Sequence, residues 1–490
     1  MRRIAVTLTL ALVAGLFHGT AAASEPAPID PWVLQLEGRQ SALIHIEPGV
    51  PLESGVAAAR SAGLDVGTTY PPINVFVAYG EAQQFVSVAT APEVEWIESN
   101  LLLEFFTDTS HIATRGQEVL DGAITLADGS RIDGSGVGVG VVDSGVDGTH
   151  PDLADRMGSN VRIVCTAPGG AVAIGGGTGL GFSECRAPKA AVPMDDTDTP
   201  GAGGHGTHVA GIVAGTGAAS GGRFHGAAPG ATLYGVGVGT TLVVENALDG
   251  LRWVLDNHDR VDPAIRVVNN SWGSGHRTAT ENDPLTGAVT KMQNALLQAG
   301  VTVVFAAGNS GGSGTTATTS VQCVNLTPGN VCVANYNDAN SGTRDGSLSS
   351  SSSRGKADDP STWPDISAPG STIVSTCRVT LPVCWAHTGQ VLDPPNTYST
   401  LSGTSMAAPH IAGIAAQLYQ VDPTLTPGRV EDVLEDTAHK FTFGGPYASD
   451  PFNPDNLSSF DKGHGLVDVM VAVQSLLGTK VKGSKKKPRP

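Results

Sequence analysis

The chain has 490 residues, of which 40% are hydrophobic, and 29 basic against 46 acidic residues give it a formal net charge of −17. A chain of this size and hydrophobic content can bury a large core and exceeds the usual size of one domain, so we expect one large domain and a smaller one. The negative charge opposes binding to nucleic acid and to anionic membranes, and we predict neither as a partner.

The first 23 residues have the pattern of a secretory signal peptide. Arg2 and Arg3 precede an apolar run over 4–17, and the small residues at 21–23 offer a cleavage site before Ser24. A membrane anchor is the alternative, but the run is shorter than the roughly 20 residues that span a bilayer. We therefore predict a secreted protein, extracellular or periplasmic, without a membrane span.

Residues 24–114 have the pattern of a small α+β unit, for which a split βαβ, ferredoxin-like domain is a fitting fold. Alternating apolar residues predict three strands and two helices, in the order strand 42–46, helix 54–62, strand 74–79, helix 81–89 and strand 94–97. We expect this unit to be followed by a separate, larger domain.

The larger domain, 115–478, has the pattern of an α/β fold. Apolar runs typical of buried parallel strands alternate with helical segments, the strands at 137–142, 232–236, 265–268, 301–306 and 331–333 and the helices at 208–214, 286–298 and 405–419. This alternation predicts a doubly wound, mostly parallel sheet with its site at the carboxyl ends of the strands. The basic tail 479–490 is predicted to be disordered, an anion-binding arm being the alternative.

Six cysteines occur in the chain. An even number in a protein that is predicted to reach an oxidising compartment favours disulfides over metal ligands or a thiol nucleophile. Sequence alone leaves several connectivities open, and our prediction pairs nearest neighbours: Cys165 with Cys185, Cys323 with Cys332, and Cys377 with Cys384.

Two segments place an acid and a histidine where catalysis could use them. Asp143 ends the apolar run of Val-Val-Asp-Ser-Gly, and this pentapeptide taken alone favours a turn or helix-cap residue over a catalytic one. His205 stands between two glycines in Gly-His-Gly-Thr-His, at the start of a helix of small residues. We interpret His208, one turn further on, as a buried structural residue, because no ligand cluster accompanies the pair.

Two further segments supply a serine and an amide. Ser405, in Ser-Gly-Thr-Ser-Met-Ala, follows a glycine turn into a helix, so its hydroxyl can be exposed while its own N–H points at a developing oxyanion. Ser402, Thr404 and Ser405 could each otherwise be cap residues of that helix. Asn309 follows a buried strand in Ala-Ala-Gly-Asn-Ser-Gly, where a turn role is also open.

In this order, the Asp, His and Ser segments resemble the subtilisin-type serine peptidases, the subtilases, and the resemblance runs from about residue 134 to 477. It implies a serine endopeptidase in which Ser405 is the nucleophile, His205 the general base and Asp143 the residue that orients the imidazole. It also implies that Asn309 is the second oxyanion donor, beside the Ser405 N–H.

The same resemblance implies where substrates and partners bind. An extended peptide would lie between two walls, Ser271, Trp272 and Gly273 on one side and Ala306, Ala307 and Gly308 on the other. Because these walls are apolar and lined by glycine, we expect a substrate with an apolar or large side chain before the cleaved bond. The unit 24–114 resembles the family's inhibitory pro region, whose end, 101–114, would fill the cleft and be cut within about 105–117. We expect a monomer that acts on proteins or peptides.

No cofactor is expected for the chemistry, while a structural calcium ion is left open. Asp152 matches an acid that holds calcium in the family, but the loop 215–224 lacks the Asn and Asp that usually complete the site. The acids Asp195, Asp196 and Asp198 offer hard oxygen ligands, and we interpret them as a solvated acidic loop.

The sequence thus predicts a secreted serine endopeptidase that is made as a self-processing precursor. Three alternatives remain at this level: a binding protein with a decayed site, an enzyme that cleaves only its own pro segment, and a serine esterase. All four catalytic positions hold competent residue types, which argues against the first.

Overall fold

A computed structural model gives the fold of the chain and describes residues 26–35, 38–100, 102–105, 113–166, 172–173, 189–198, 203–239, 242–274, 287–378, 381, 383–384 and 397–478. The predicted signal peptide, the basic tail and Cys185 lie outside these ranges. No helix within them is long and apolar enough to cross a membrane.

The N-terminal unit is an antiparallel four-stranded sheet with the element order β-α-β-β-α-β and the strand order β2-β3-β1-β4. A short helix, α1 Pro31–Gln35, precedes its six elements: β1 Gln40–Ile46, α2 Leu52–Ser61, β2 Asp65–Tyr70, β3 Val75–Gly80, α3 Ala82–Val88 and β4 Val94–Ser99. The three predicted strands and two predicted helices are all present. Strand β2 was not predicted, because only its last residue is buried and it therefore lacks an apolar alternation.

The rest of the described chain is built on a ten-stranded sheet. Its centre is parallel, in the order β7-β10-β6-β12-β14-β15-β17, and the antiparallel strands β8, β9 and β16 lie at its ends. The bounds of these strands are β6 Gly138–Asp143, β7 Met157–Thr166, β8 Val172–Ala173, β9 Lys189–Pro193, β10 Thr232–Gly237, β12 Ile265–Asn270, β14 Thr302–Ala306, β15 Asn330–Asn337, β16 Ser347–Leu348 and β17 Ile366–Pro369.

Helices and short strands complete the larger unit. The helices are α4 Gly116–Leu120, α5 His205–Ala214, α6 Val244–Asn257, α7 Ala288–Gln298, α8 Thr404–Val421, α9 Pro427–Thr437 and α10 Val469–Leu476. The short strands are β5 Leu102–Phe105, β11 Leu242–Val243, β13 Trp272–Gly273, β18 Ile373–Thr376, β19 Tyr398–Leu401, β20 Ala448–Ser449 and β21 Leu457–Ser458.

The order of the parallel strands puts the site at one edge of the sheet. Strand β6 is flanked by β10, beyond which lies β7, and on its other side by β12, from which the order continues to β14 and β15. A crevice forms outside the carboxyl ends of the strands at such a switch point, and ligands bind there in open α/β sheets. Strands β6 and β14 are buried along their whole length, which explains why they could be predicted from apolar runs.

Two predicted disulfides are present, Cys323–Cys332 and Cys377–Cys384. Cys165 is also disulfide-bonded. Its predicted partner Cys185 lies outside the described residues, so that pairing stays a prediction.

Candidate active site

The carboxyl end of β6 brings an acid against the histidine that opens α5. Oδ1 of Asp143 lies 2.7 Å from Nδ1 of His205, and both side chains are fully buried. The same oxygen accepts a hydrogen bond of 2.7 Å from the backbone N–H of Ser144. A carboxylate in this position fixes the tautomer and the orientation of the imidazole, leaving Nε2 as the proton acceptor.

The glycines that flank the histidine are required by this packing. A Cβ on Gly206 would lie 2.1 Å from the carbonyl oxygen of Gly145 and 3.0 Å from Cβ of Asp143. Gly204 has φ +104, and a Cβ there would lie 2.5 Å from Sγ of Cys384. The Gly-His-Gly motif therefore lets the start of α5 approach both β6 and a disulfide.

Ser405 occupies the second position of α8, after Gly403 at the helix N-cap. Its hydroxyl donates a hydrogen bond of 3.0 Å to the carbonyl of Ser271, and the Ser271 hydroxyl donates one of 2.8 Å to the carbonyl of Ser405. Nδ2 of Asn269, at the end of β12, donates to the Ser271 hydroxyl at 2.9 Å. The end of β12 thus holds the first turn of α8, with the Ser405 N–H at the positive end of the helix dipole.

Asn309 lies beyond the end of β14 and is held by Thr404. Its Oδ1 accepts hydrogen bonds from the Thr404 N–H at 3.1 Å and from the Thr404 hydroxyl at 3.2 Å. Its Nδ2 is buried and has no hydrogen-bond partner among the described residues. An amide N–H₂ group in this position can donate a hydrogen bond to a ligand oxygen.

Thr404 is a functional residue that the sequence analysis considered only as a helix cap. Its hydroxyl also accepts a hydrogen bond of 3.0 Å from Gly308 N–H. It therefore links the strand end that carries Asn309 to the helix that carries Ser405. The signal that could have found it is its place next to Ser405, but its contact with Asn309 spans 95 residues of sequence.

The predicted substrate walls contact a strand of this same chain. Strand β5 pairs antiparallel with β13, Phe105 opposite Trp272, and with β11, Leu103 opposite Leu242. The indole of Trp272 points into the core instead, where Nε1 donates to the Val142 carbonyl at 2.8 Å. The backbone of β13 is therefore the part of this wall that pairs with an extended segment. Opposite, Ala306 and Ala307 are fully buried, and Gly308 follows with φ +111.

The contacts of Asp152 do not fit a calcium ion. This buried carboxylate accepts hydrogen bonds from Ala219 N–H at 2.8 Å and from the Tyr398 hydroxyl at 2.7 Å, one on each oxygen. Both oxygens are thus engaged by protein donors, and the loop after α5 brings no second carboxylate.

A different group of acids has the spacing of metal ligands. Asp365, Glu431 and Glu435 each offer an oxygen within 4.8 Å of the others. Burial raises the pKa of Asp365 to about 8. It also raises the pKa of Glu435 to about 10, with repulsion from Glu431 as the next cause. The group lies in a cavity of about 580 Å³, which does not include the catalytic candidates.

A buried Asp–His pair lies at the carboxyl end of β6. A serine at a helix N-terminus and a buried amide lie at the carboxyl ends of the neighbouring strands β12 and β14, on the same edge of the parallel sheet. This fold and this set of side chains define the class of protein as a serine hydrolase.

Comparison with known proteins identifies the family. The family model described as "Subtilase family" matches residues 134–465. Serine protease AprX of Bacillus subtilis (strain 168) is 33% identical over 372 residues, 73% of this chain and 72% of its own length. Subtilisin of Bacillus pumilus is 32% identical over 349 residues, 70% of this chain and 92% of its own length. The chain belongs to the subtilase family and is a serine endopeptidase of the subtilisin type.

A solved structure supports the fold. The chain is similar to fervidolysin from Fervidobacterium pennivorans, described as a keratinolytic enzyme related to subtilisin, with a TM-score of 0.62 and 23% identity. The likeness covers 92% of this chain and 63% of fervidolysin. At this identity it shows the subtilisin-like α/β fold alone.

Proposed function

We propose that this chain is a secreted serine endopeptidase that hydrolyses peptide bonds through an acyl-enzyme on Ser405 and is made as a precursor that processes itself. The observation that carries the proposal is the pair of hydrogen bonds that holds Asn309 to Thr404, the residue next to Ser405, and so places its amide beside the proposed nucleophile.

In the first half of the reaction, the Ser405 hydroxyl attacks the carbonyl carbon of the peptide bond. Its proton passes to Nε2 of His205, and the imidazolium is stabilised by Asp143 through Nδ1. The carbonyl oxygen becomes an oxyanion that accepts hydrogen bonds from the Ser405 N–H and from Nδ2 of Asn309. His205 then donates the proton to the leaving amine as the C–N bond breaks.

In the second half, a water molecule loses a proton to His205 and attacks the acyl carbon. The same two donors stabilise the second oxyanion, and the Ser405 oxygen leaves with the proton from His205. These steps use only side chains and backbone of this chain, so no metal or cofactor enters the proposed mechanism.

The proposal of self-processing is supported by the position of β5. This strand follows the N-terminal unit and lies between β11 and β13, where it takes the place of an extended substrate. Main-chain pairing on both sides supplies affinity without requiring a particular side chain. Residues 106–112, which lead from β5 toward the predicted cut, lie outside the described residues.

The remainder of the 24–114 unit, proposed to be ferredoxin-like, contacts α6 and α7 through polar groups. The Tyr79 hydroxyl donates to Oε2 of Glu245 at 2.9 Å, and Lys291 forms an ion pair of 2.8 Å with Glu95. Glu98 accepts a hydrogen bond of 2.6 Å from Ala288 N–H, at the start of α7. These contacts support a pro region that docks on two helices and lays its end in the cleft.

Expression of the parent chain beside Ser405→Ala tests the proposal. The parent should lose 24–114 by a cut within about 105–117, and the variant should retain it. Purified 24–114 should also inhibit the processed enzyme when added separately. Identical processing of both chains, together with no inhibition, would contradict self-processing while leaving the peptidase assignment intact.

Secretion and a monomeric state complete the proposal. Secretion is supported by the signal-peptide pattern of residues 1–23 and by a 29% identical relative from Thermus sp. (strain Rt41A) that is described as an extracellular serine proteinase. N-terminal sequencing of the protein recovered from the culture medium would test both the signal cleavage and the later processing site.

A further inference from the structure

A second buried carboxylate lies behind the Asp143–His205 pair. Asp198 is 5% exposed, and its Oδ2 accepts a hydrogen bond of 2.8 Å from the N–H of Gly204, the residue before His205. The same oxygen accepts a hydrogen bond from the hydroxyl of Thr207, two residues after His205. The acidic loop is therefore not simply solvated, as the sequence suggested.

The other oxygen of Asp198 reaches the Asp143 side of the pair through one hydroxyl. Ser144 Oγ donates to Oδ1 of Asp198 at 3.3 Å and accepts from Gly206 N–H at 3.0 Å. The backbone N–H of Ser144 donates to the Asp143 oxygen that pairs with His205. Asp198 thus contacts Gly204 and Ser144 directly and reaches Gly206 through the Ser144 hydroxyl. Gly204 and Gly206 flank His205, and Ser144 follows Asp143.

The sequence around Asp198 fits this close approach. A Cβ on Gly145 would lie 2.2 Å from the Thr197 carbonyl oxygen and 2.7 Å from Cα of Asp198, so only glycine allows the acidic loop to pack here. Helix α5 has no side-chain cap of its own and no acid in its first turn. Asp198 supplies, from another part of the chain, the negative charge and the acceptor that a helix N-terminus requires.

Charges on three sides surround this carboxylate. Asp143 and Asp196 are like charges that disfavour its ionised form, while Arg162 and Arg378 are opposite charges. Burial is the main cause that raises the pKa of Asp198 to about 6. At neutral pH the group is therefore an anion that is kept in the interior by its three donors.

From these contacts we infer that Asp198 is a positioning residue of the proposed catalytic pair, which it serves by fixing Gly204, Thr207 and Ser144 around His205. The inference rests on the proposed roles of Asp143, His205 and Ser405. Asp198 itself touches neither the imidazole nor the reacting atoms, and it acts through the backbone that carries them. Displacement of a catalytic group by about 1 Å can lower a rate by about 100-fold.

The test compares Asp198→Asn with Asp195→Asn, an exposed acid of the same loop. Asparagine keeps the shape of the side chain but replaces the anion with an amide whose NH₂ meets hydrogen-bond donors. We expect Asp198→Asn to lower kcat by about 10–100-fold with KM for a small peptide amide within about twofold, and to slow labelling by a fluorophosphonate equally. Asp195→Asn should match the parent in all three.

Ser144→Ala tests whether Asp198 acts on the catalytic pair through the Ser144 hydroxyl. It should lower kcat in the same way, and the double variant Asp198→Asn/Ser144→Ala should lose less than the product of the two single losses, because the residues act in one network. If Asp198→Asn does not fold, as judged by thermal unfolding, Ser144→Ala alone decides. An unchanged kcat in either folded variant, or a rise in KM at unchanged kcat, would overturn the inference.

The failure of the proposed function would look different. Ser405→Ala, measured beside these variants, should be inactive. Activity of Ser405→Ala at the parent's rate would remove the basis of the inference altogether, whereas an inactive Ser405→Ala with a fully active Asp198→Asn would refute only the role of Asp198.

Discussion

At the scale of single residues, Thr404 fixes the orientation of the Asn309 amide, which is the proposed oxyanion donor. Thr404 gives both its N–H and its hydroxyl to Oδ1 of Asn309, which leaves only Nδ2 for a ligand. A preorganised donor of this kind does not have to reorient when the oxyanion forms, and it therefore acts mainly on the transition state.

Replacement of Asn309 should consequently affect kcat more than KM. For Asn309→Ala we expect kcat to fall by roughly 10²–10³-fold, the range that the loss of one oxyanion donor costs in subtilisin itself. Asn309→Asp keeps the acceptor for Thr404 but lacks the N–H, so it should lose as much. Steady-state kinetics on a peptide amide measures both, and a rise in KM at unchanged kcat would contradict the assignment.

At the scale of elements, the start of α5 is positioned by a disulfide as well as by β6. Sγ of Cys377 lies 3.8 Å from the Gly204 carbonyl, and Cys384 packs against Gly204 Cα. The strand-to-helix segment that carries His205 therefore has no room for a side chain at this position.

Gly204→Ala should destabilise the protein more than Gly136→Ala. Both glycines have positive φ, +104 and +79, but a Cβ at Gly136 would meet nothing within 4 Å. The shared backbone strain costs about 1–2 kcal/mol, and only Gly204→Ala adds a clash with the disulfide. Thermal unfolding in a Ser405→Ala background, which prevents autolysis, measures the difference, and equal losses in Tm would show that the contact with Cys384 does not matter.

Glu431 and Glu435 of α9 lie close to Asp365, which precedes β17. From the pKa values of these acids we expect the free energy of unfolding to depend on pH. A carboxyl whose pKa is raised on folding binds more protons in the folded state, so its stabilising effect is present below its unfolded pKa of about 4 and is lost as pH rises through the folded value. For Asp365 that value is about 8. The window of loss therefore runs from about pH 4 to pH 8.

Glu431→Gln removes one of the repelling carboxyls and should raise Tm relative to the parent more at pH 8 than at pH 4. Asp256→Asn, at a partly exposed acid of α6 that pairs with Arg252 at 3.3 Å, is the control and should show no such pH-dependent gain. Thermal unfolding of the parent and both variants at pH 4 and pH 8 measures these shifts in Tm. An equal shift of the Glu431→Gln protein at pH 4 and pH 8 would contradict the proposed repulsion.

Strands that are buried along their whole length could be predicted from their apolar runs, whereas helices whose buried faces carry acids could not. The runs that form β6 and β14 are apolar throughout, and the glycines around His205 and Ser405 mark the turns that lead into α5 and α8. Helices α6 and α9 were not predicted, because acidic residues interrupt their apolar periodicity. In α6 two acids, Glu245 and Asp249, even lie on the buried face. The contacts of Asp198 and Thr404 depend on long-range folding, which no local pattern reveals.

At the scale of the whole molecule, the N-terminal unit has a core of its own yet shares buried charges with the larger unit. Its apolar cluster includes Val56, Phe76, Phe85 and Ile97. The shared charges centre on Glu245, which accepts from the Tyr79 hydroxyl and pairs with Lys189 at 2.6 Å. Leu43, Val75 and Val77 also share one apolar cluster with α6 and α7 of the larger unit, so the interface combines polar and apolar contacts.

Loss of the Tyr79 hydroxyl should weaken inhibition by the separated 24–114 unit. A hydrogen bond to a charged group contributes about 1.5–3 kcal/mol, so Tyr79→Phe should raise the inhibition constant about tenfold or more. Gln83→Ala, on the exposed face of α3, is the control and should inhibit like the parent unit. Inhibition by the Tyr79→Phe unit at the parent's strength would mean that this contact does not contribute to docking.

The central claim, that Ser405 is the nucleophile of a serine endopeptidase, is tested most directly by casein hydrolysis combined with mass-spectrometric mapping of a fluorophosphonate adduct. The comparison uses the parent, Ser405→Ala and Ser402→Ala, the last replacing a serine three positions away in the same turn. We predict that the parent and Ser402→Ala hydrolyse casein and carry the adduct on Ser405, and that Ser405→Ala does neither. Casein hydrolysis by Ser405→Ala at the parent's rate, or an adduct on another residue, would contradict the claim.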